Sequence, residues 1–244
     1  MAAFRLLRDF NAEDLRPLAG NKSRPGPRLV ARITGDGLAP RLVRALADER
    51  ALPLKEITEA FEFFAVVRRH LRRATHVADL CSGHGLAGLL FGIYERGVES
   101  VRLVDRRRPE RHDRVLAAIE RVAPWALEKT RYLETRLDRA RDELAPGSTV
   151  LGVHACGRLT DDCLDMAHAL GGPVAVLPCC RPHAKSPAPE GLSAALGPDV
   201  AFDVHRTYRM EERGYRVRWR EIPAEITPMN RVLIGVPRGT GGPS

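Results

Sequence analysis

The run Asp79-Leu80-Cys81-Ser82-Gly83-His84-Gly85-Leu86-Ala87-Gly88 places one carboxylate just ahead of three glycines. Glycines allow a backbone to turn sharply and lie against a ligand, because a residue without a Cβ makes that approach at little steric cost. Asp105 follows Gly85 by 20 residues and closes a second apolar run. At that spacing a carboxylate can accept hydrogen bonds from two ribose hydroxyls. Asp79, Cys81, Gly83, Gly85 and Asp105 together describe a site for an adenosine-containing cofactor. Asp138, in Thr135-Arg136-Leu137-Asp138, has two readings: a contact to the adenine ring, or an N-cap on the helix that follows.

A second group of reactive side chains lies further along, in Val153-His154-Ala155-Cys156-Gly157-Arg158-Leu159-Thr160-Asp161 and in Leu177-Pro178-Cys179-Cys180-Arg181-Pro182-His183. Groups at the carboxyl ends of parallel strands line the ligand crevice of an open α/β sheet. His154 is the first candidate for a base or orienting group, and Asp161 the second. Cys156 with Cys179 or Cys180 forms a candidate thiolate pair for covalent catalysis. The same cysteines with His183 and His154 are a conceivable zinc set, but adjacent cysteines suit a tetrahedral site poorly and no metal is expected. Small side chains packed beside the cofactor are the plain alternative.

These residues need a scaffold that delivers them to one edge. Short apolar runs at His76–Leu80, Ser100–Val104, Arg131–Thr135, Thr149–His154 and Pro173–Leu177 read as parallel strands, with helical stretches at about 86–96, 109–122, 138–144 and 160–170. That alternation predicts an α/β fold, a Rossmann-like, doubly wound and mostly parallel sheet. Tyr215–Ile222 and Arg231–Val236 leave no room between them for a crossover helix and predict an antiparallel C-terminal edge hairpin. Ahead of the first strand, Ile57, Ala60, Phe61, Phe64, Val67 and Leu71 recur at helical spacing over Lys55–Arg73. Residues 184–199 read as a surface loop with one short helix. The expected organisation is a basic N-terminal arm or cap over 1–54, a catalytic domain over 55–238 and a flexible tail over 239–244.

No stretch of the 244 residues approaches the roughly 20 uninterrupted apolar positions of a membrane helix. The charged start, with Arg5, Arg8 and Asp9, does not read as a secretory signal, so a cytoplasmic location and reduced thiols are expected for the five cysteines. The formal net charge of +8 favours approach to phosphate backbones. Only four of the 39 basic residues are lysine (22, 55, 129, 185), a bias that a G+C-rich coding sequence also produces, so charge alone is weak support.

The three glycines also satisfy the G-x-G-x-x-G pattern of nicotinamide enzymes. A pyrophosphate site, however, normally has its first glycine directly after the apolar strand, whereas here Asp79, Cys81 and Ser82 intervene. Asp79-x-Cys81-x-Gly83-x-Gly85 resembles the acidic-x-Gly-x-Gly-x-Gly motif of class I S-adenosylmethionine (SAM)-dependent methyltransferases, with Cys81 at the first glycine. SAM carries an amino acid and a sulfonium and no phosphate, which suits an acidic residue before the glycines. His154-x-Cys156-Gly157-x-x-Thr160-Asp161 followed by Pro178-Cys179-Cys180 is similar to the methyltransferase domain of eukaryotic enzymes that methylate a ribose 2′-hydroxyl in the tRNA acceptor stem. Methyltransferase-like protein 25 and the glutathione S-transferase C-terminal domain-containing protein look to share that domain. The likeness covers roughly residues 55–183, with Ile226-Thr227-Pro228-x-Asn230-Arg231 as weaker support. The resemblance implies SAM as cofactor and RNA, tRNA or rRNA, as the partner, modified at a ribose hydroxyl or a base. A small-molecule or protein methyltransferase, and a SAM- or RNA-binding module without transfer activity, remain as the other readings.

Overall fold

The computed structural model describes residues 2–153, 155–178 and 188–238. Seven strands form one sheet in the order β3-β2-β1-β4-β5-β7-β6. They are β1 (His76–Leu80), β2 (Ser100–Asp105), β3 (Thr130–Glu134), β4 (Thr149–Gly152), β5 (Val174–Val176), β6 (Tyr215–Glu221) and β7 (Arg231–Pro237). β1 to β5 are mutually parallel, while β7 runs antiparallel to both β5 and β6. The doubly wound sheet and its antiparallel edge pair are as the sequence predicts.

The helices are α1 (Pro27–Val30), α2 (Leu38–Asp48), α3 (Leu54–Val67), α4 (Leu86–Tyr94), α5 (His112–Val122), α6 (Trp125–Glu128), α7 (Arg158–Leu170), α8 (Glu190–Leu196) and α9 (Pro198–Glu212). Side chains alternate across β1: Val77 enters one core with α2, α3, α4 and α5, while Ala78 and Leu80 enter a second core with α7 and Met210 of α9. α4 is apolar nearly all round because it is covered on both sides, by the sheet and by α3, with Phe64 and Phe91 edge to face at 5.0 Å.

Three elements differ from the sequence expectation. Residues 138–144 form two short 3-10 turns, Leu137–Arg139 and Arg141–Glu143, which bury Ala140 and Leu144 just ahead of Pro146-Gly147. The helix expected to run to Arg73 ends at Val67 and passes into a 3-10 turn, Arg68–His70. A 15-residue helix, α9, occupies what reads as the end of a surface loop and the stretch beyond it.

Residues 2–54 feed Phe4, Leu7, Phe10, Leu15 and Leu42 into the core that α3 and α4 share. Glu62 of α3, itself buried, accepts the backbone N–H groups of Arg5 (2.7 Å), Leu6 (3.0 Å) and Leu7 (2.9 Å). Burial pushes its carboxyl above the usual range against those three hydrogen bonds. The expected tail, 239–244, lies outside the described residues. No helix among the described residues is long and apolar enough to cross a membrane.

Candidate active site

The turn after β1 is built from left-handed residues: Cys81 (φ 54°), Gly83 (φ 52°) and Gly85 (φ 78°). Such conformations are costly for residues with a Cβ, so Cys81 is strained where the resembled motif has glycine. Gly88, one turn into α4, is fixed by packing, since a Cβ there would lie 2.8 Å from Asp79 Cβ and from Leu103 Cδ2. At Gly83, by contrast, nothing lies within 4 Å of where a Cβ would be, so its backbone faces open space.

Hydrogen bonds to side chains hold this turn in place. Gly83 N–H donates to Asp105 Oδ2 (2.9 Å) and Gly88 N–H to Asp79 Oδ2 (2.9 Å). The Tyr132 hydroxyl donates to the Gly83 carbonyl (3.0 Å), and His112 Nδ1–H to the His84 carbonyl (2.9 Å). His112 is buried edge-on to Tyr132, 4.7 Å between rings, and burial lowers its pKa against the opposing effect of this hydrogen bond. His84 also reaches Glu56 of α3, Nδ1 to Oε2 at 3.4 Å.

The turn forms one wall of a cavity of about 400 Å³, within the range of small-ligand sites. Asp79, Cys81, Gly83, Gly85 and Asp105 all line it, and Leu52, Ala60, Leu86, Val104, Leu137 and Val153 supply apolar walls. Asp105 Oδ1 has no hydrogen-bond partner among the described residues, which leaves it for a ligand hydroxyl. Burial raises the Asp79 carboxyl to about 7, the Gly88 hydrogen bond opposes the rise, and the Asp105 charge adds to it. Two carboxylates, an open glycine face and apolar walls fit a nucleoside joined to a cationic amino acid.

The remaining predicted site residues are placed less simply. Asp138 does not line this cavity; it is exposed and held by Arg136 through two contacts of 3.0 and 3.1 Å, while its neighbour Leu137 faces the cavity. His154, Cys179, Cys180 and His183 lie outside the described residues. Cys156 is exposed on the turn after β4 and is not among the cavity-lining residues. Asp161 sits in the first turn of α7 under two arginines of α9: Arg206 spans both its oxygens at 3.3 and 3.1 Å, and Arg209 Nη1 lies at 2.9 Å. Arg206 is 3% exposed, pairs with Asp203, and also donates to the Gly157 carbonyl at 3.2 Å. It therefore ties the Gly157–Asp161 turn, whose Leu159 lines the cavity, to α9. No group of three or more His, Cys, Asp or Glu able to hold a metal occurs among the described residues.

Sequence reasoning missed Leu52, Glu56, Ala60, His112 and Tyr132. Tyr132 follows from register, being the β3 partner of Leu103, and its spacing in sequence carries no sign that its hydroxyl meets Gly83.

A family model described as a methyltransferase domain matches residues 53–186, more than half of the chain. Among solved structures, the fibrillarin pre-rRNA processing protein of Methanococcus jannaschii is similar in fold at 11% identity, TM-score 0.50, over 69% of this chain and 68% of that one. A Corynebacterium glutamicum protein is similar at 18% identity, TM-score 0.52, over 85% of this chain and 93% of that one. No curated protein matches the sequence. With the family match spanning the glycine turn, both carboxylates and the strand ends around the cavity, the chain belongs to this methyltransferase domain family and is a SAM-dependent methyltransferase.

Proposed function

We propose that this enzyme methylates RNA, tRNA or rRNA, in the cytoplasm, at a ribose hydroxyl or a base. The observation that carries the reading is the charge at the mouth of the cavity. Arg106 lines the cavity itself, and Arg107 and Arg111 line the depression that adjoins it at Glu56 and His84. All three are exposed, and none forms an ion pair among the described residues. A substrate rich in phosphates would neutralise them, whereas a small neutral acceptor would leave them without purpose. The resemblance of the His154–Asp161 and Pro178–Cys180 segments to RNA-modifying enzymes points the same way.

SAM, when bound, would supply a methyl group on a sulfonium; the bond to sulfur breaks as a bond to the acceptor oxygen, nitrogen or, in the thiolate alternative, pyrimidine ring carbon forms, and the acceptor proton leaves. Asp105 would hold ribose hydroxyls, Asp79 the cationic amino-acid end, and the backbone at Gly83 the body of the cofactor. His154 is the proposed proton acceptor, and Cys156 and Cys179 are the alternative groups for pyrimidine chemistry. With both Asp161 oxygens occupied by arginine, we assign that residue to positioning the Gly157–Asp161 turn.

Incubating the purified chain with tritiated SAM and bulk tRNA or rRNA tests the proposal directly. Label in RNA, reduced at least tenfold by Arg106→Glu with Arg107→Glu, is the expected result. SAM binding by calorimetry without label in either RNA would transfer the substrate to the small-molecule or protein class.

A further inference from the structure

Away from the cofactor cavity, the end of α3 meets the outer strand β6 in a shallow groove of about 620 Å³. Arg69, His70 and Arg72 enter it from the turn after α3, and Arg218 and Arg220 from β6, with Arg5 close enough to add its field. Among the described residues, none of these five arginines forms an ion pair. Glu62, the carboxylate that feels Arg5, has its oxygens occupied by the backbone N–H groups of residues 5–7. Arg220 Nη1 donates to the Trp219 carbonyl at 2.7 Å, but its Nε is screened from solvent with no hydrogen-bond partner among the described residues. Arg69 Nε–H donates to His70 Nε2 at 3.1 Å. Burial, then the charges of Arg220, Arg69, Arg218 and Arg5, push His70 down to about 4, so it is a neutral acceptor here.

Four guanidinium groups gathered in the groove without an ion-pair partner among the described residues repel one another, and an anion that bridges them removes that cost. Guanidinium forks match phosphate oxygens in shape as well as charge. The cofactor cavity and the groove lie at opposite ends of one helix. Glu56 and Ala60 near the start of α3 line the cavity, and Arg69 comes 13 positions after Glu56. At 1.5 Å per residue that is about 20 Å, a separation that a chain of evenly spaced phosphates can span. We propose that this groove binds the phosphate backbone of the RNA substrate several nucleotides away from the methylated position, with Arg69, Arg72, Arg218 and Arg220 as phosphate ligands. The identity of the ligand rests on the RNA reading above; the groove and its charge do not.

The test uses the full chain, a fluorescently labelled single-stranded oligoribonucleotide and SAM calorimetry. Arg69 and Arg72 are exposed, so Arg69→Glu with Arg72→Glu leaves the core untouched. The pair is expected to weaken RNA affinity at least tenfold and to flatten the slope of log K against log salt by about 1.4, from two contacts at about 0.7 each, with SAM affinity unchanged. In the wild-type chain, saturating RNA should move the His70 ring resonances and raise its pKa, as a phosphate replaces uncompensated positive charge. Wild-type binding with unchanged affinity and slope in the variant, or a His70 signal indifferent to RNA, would overturn the groove and leave the RNA reading standing. Absence of RNA binding by the wild-type chain overturns both. Binding to phosphatidylserine vesicles in place of RNA, lost in the same variant, would reassign the groove to a membrane surface.

Discussion

Asp79 is the residue at which burial and function meet. Its carboxyl is raised to about 7 from an ordinary 3.8, so between those values the folded protein holds a proton that the unfolded chain has lost. Its contribution to stability is therefore fully present below about pH 4 and is lost as pH rises toward 7. Cationic SAM favours the ionised form, so cofactor affinity is expected to weaken by up to tenfold per unit as pH falls below about 7. Calorimetry in buffers of different ionisation enthalpy would show the accompanying proton release, and a flat profile from pH 5 to 8 would contradict it. Gly88 holds the same carboxylate from behind. In Gly88→Ala the new Cβ meets Asp79 Cβ and Leu103 Cδ2 at 2.8 Å, an overpacking that typically costs 1–3 kcal/mol, about. A lower Tm together with weaker SAM binding is the expected readout. Asp79, the glycines and Asp105 were legible in sequence because a turn that admits a ligand requires particular residue types at particular spacings. Tyr132 and His112 were not, since they reach the turn only through strand register and helix packing.

At the scale of elements, β1, β4 and β5 were legible because strands buried on both faces read as short, nearly continuous apolar runs, whereas the half-exposed edge strand β3 was legible from its place in the strand–helix alternation. α9 escaped for a physical reason. Its buried face is Ala201, Phe202, Asp203, Arg206 and Met210, so the periodic stripe that marks a packed helix is interrupted by ions. Those ions connect it to the site. Asp203, 3% exposed, is shared by Arg206 and by Arg231 of β7 at 3.0 Å, and Asp161 is shared by Arg206 and Arg209. Truncating Arg206 leaves Asp203 with Arg231 alone and Asp161 with Arg209 alone, each largely withdrawn from water. Arg206→Ala is expected to lower Tm, at a cost below the about 3–5 kcal/mol of a buried charge left with no partner, because each acid keeps one arginine. It should also raise KM for the methyl acceptor by loosening the Gly157–Asp161 turn. Arg206→Lys would restore charge but not the two-oxygen grip on Asp161, so partial rescue of Tm with little rescue of KM separates the positioning role from simple charge balance.

For the molecule as a whole, one sheet with a core on each face carries the cofactor cavity at its strand ends, and the N-terminal residues complete one of those cores. Deleting residues 1–11 removes Phe4, Leu7 and Phe10, each worth about 1.5–3 kcal/mol of burial, and leaves Glu62 without its three N–H donors. A Tm well below that of the full chain, with partial recovery on Glu62→Leu in the deletion background, is expected; an unchanged Tm would mean that these contacts carry no weight. The strand order has a further consequence in the order of synthesis. β7 leaves the ribosome after β6 yet sits inside it, between β5 and β6. Until β7 arrives, β5 presents an open edge and β6 has no strand to join, so a chain that already carries the residues of its glycine turn exposes a pairing-competent border. A chain carrying residues 1–230 alone would hold every residue of the glycine turn and of β1 to β6, yet lack the strand that closes the sheet against other chains.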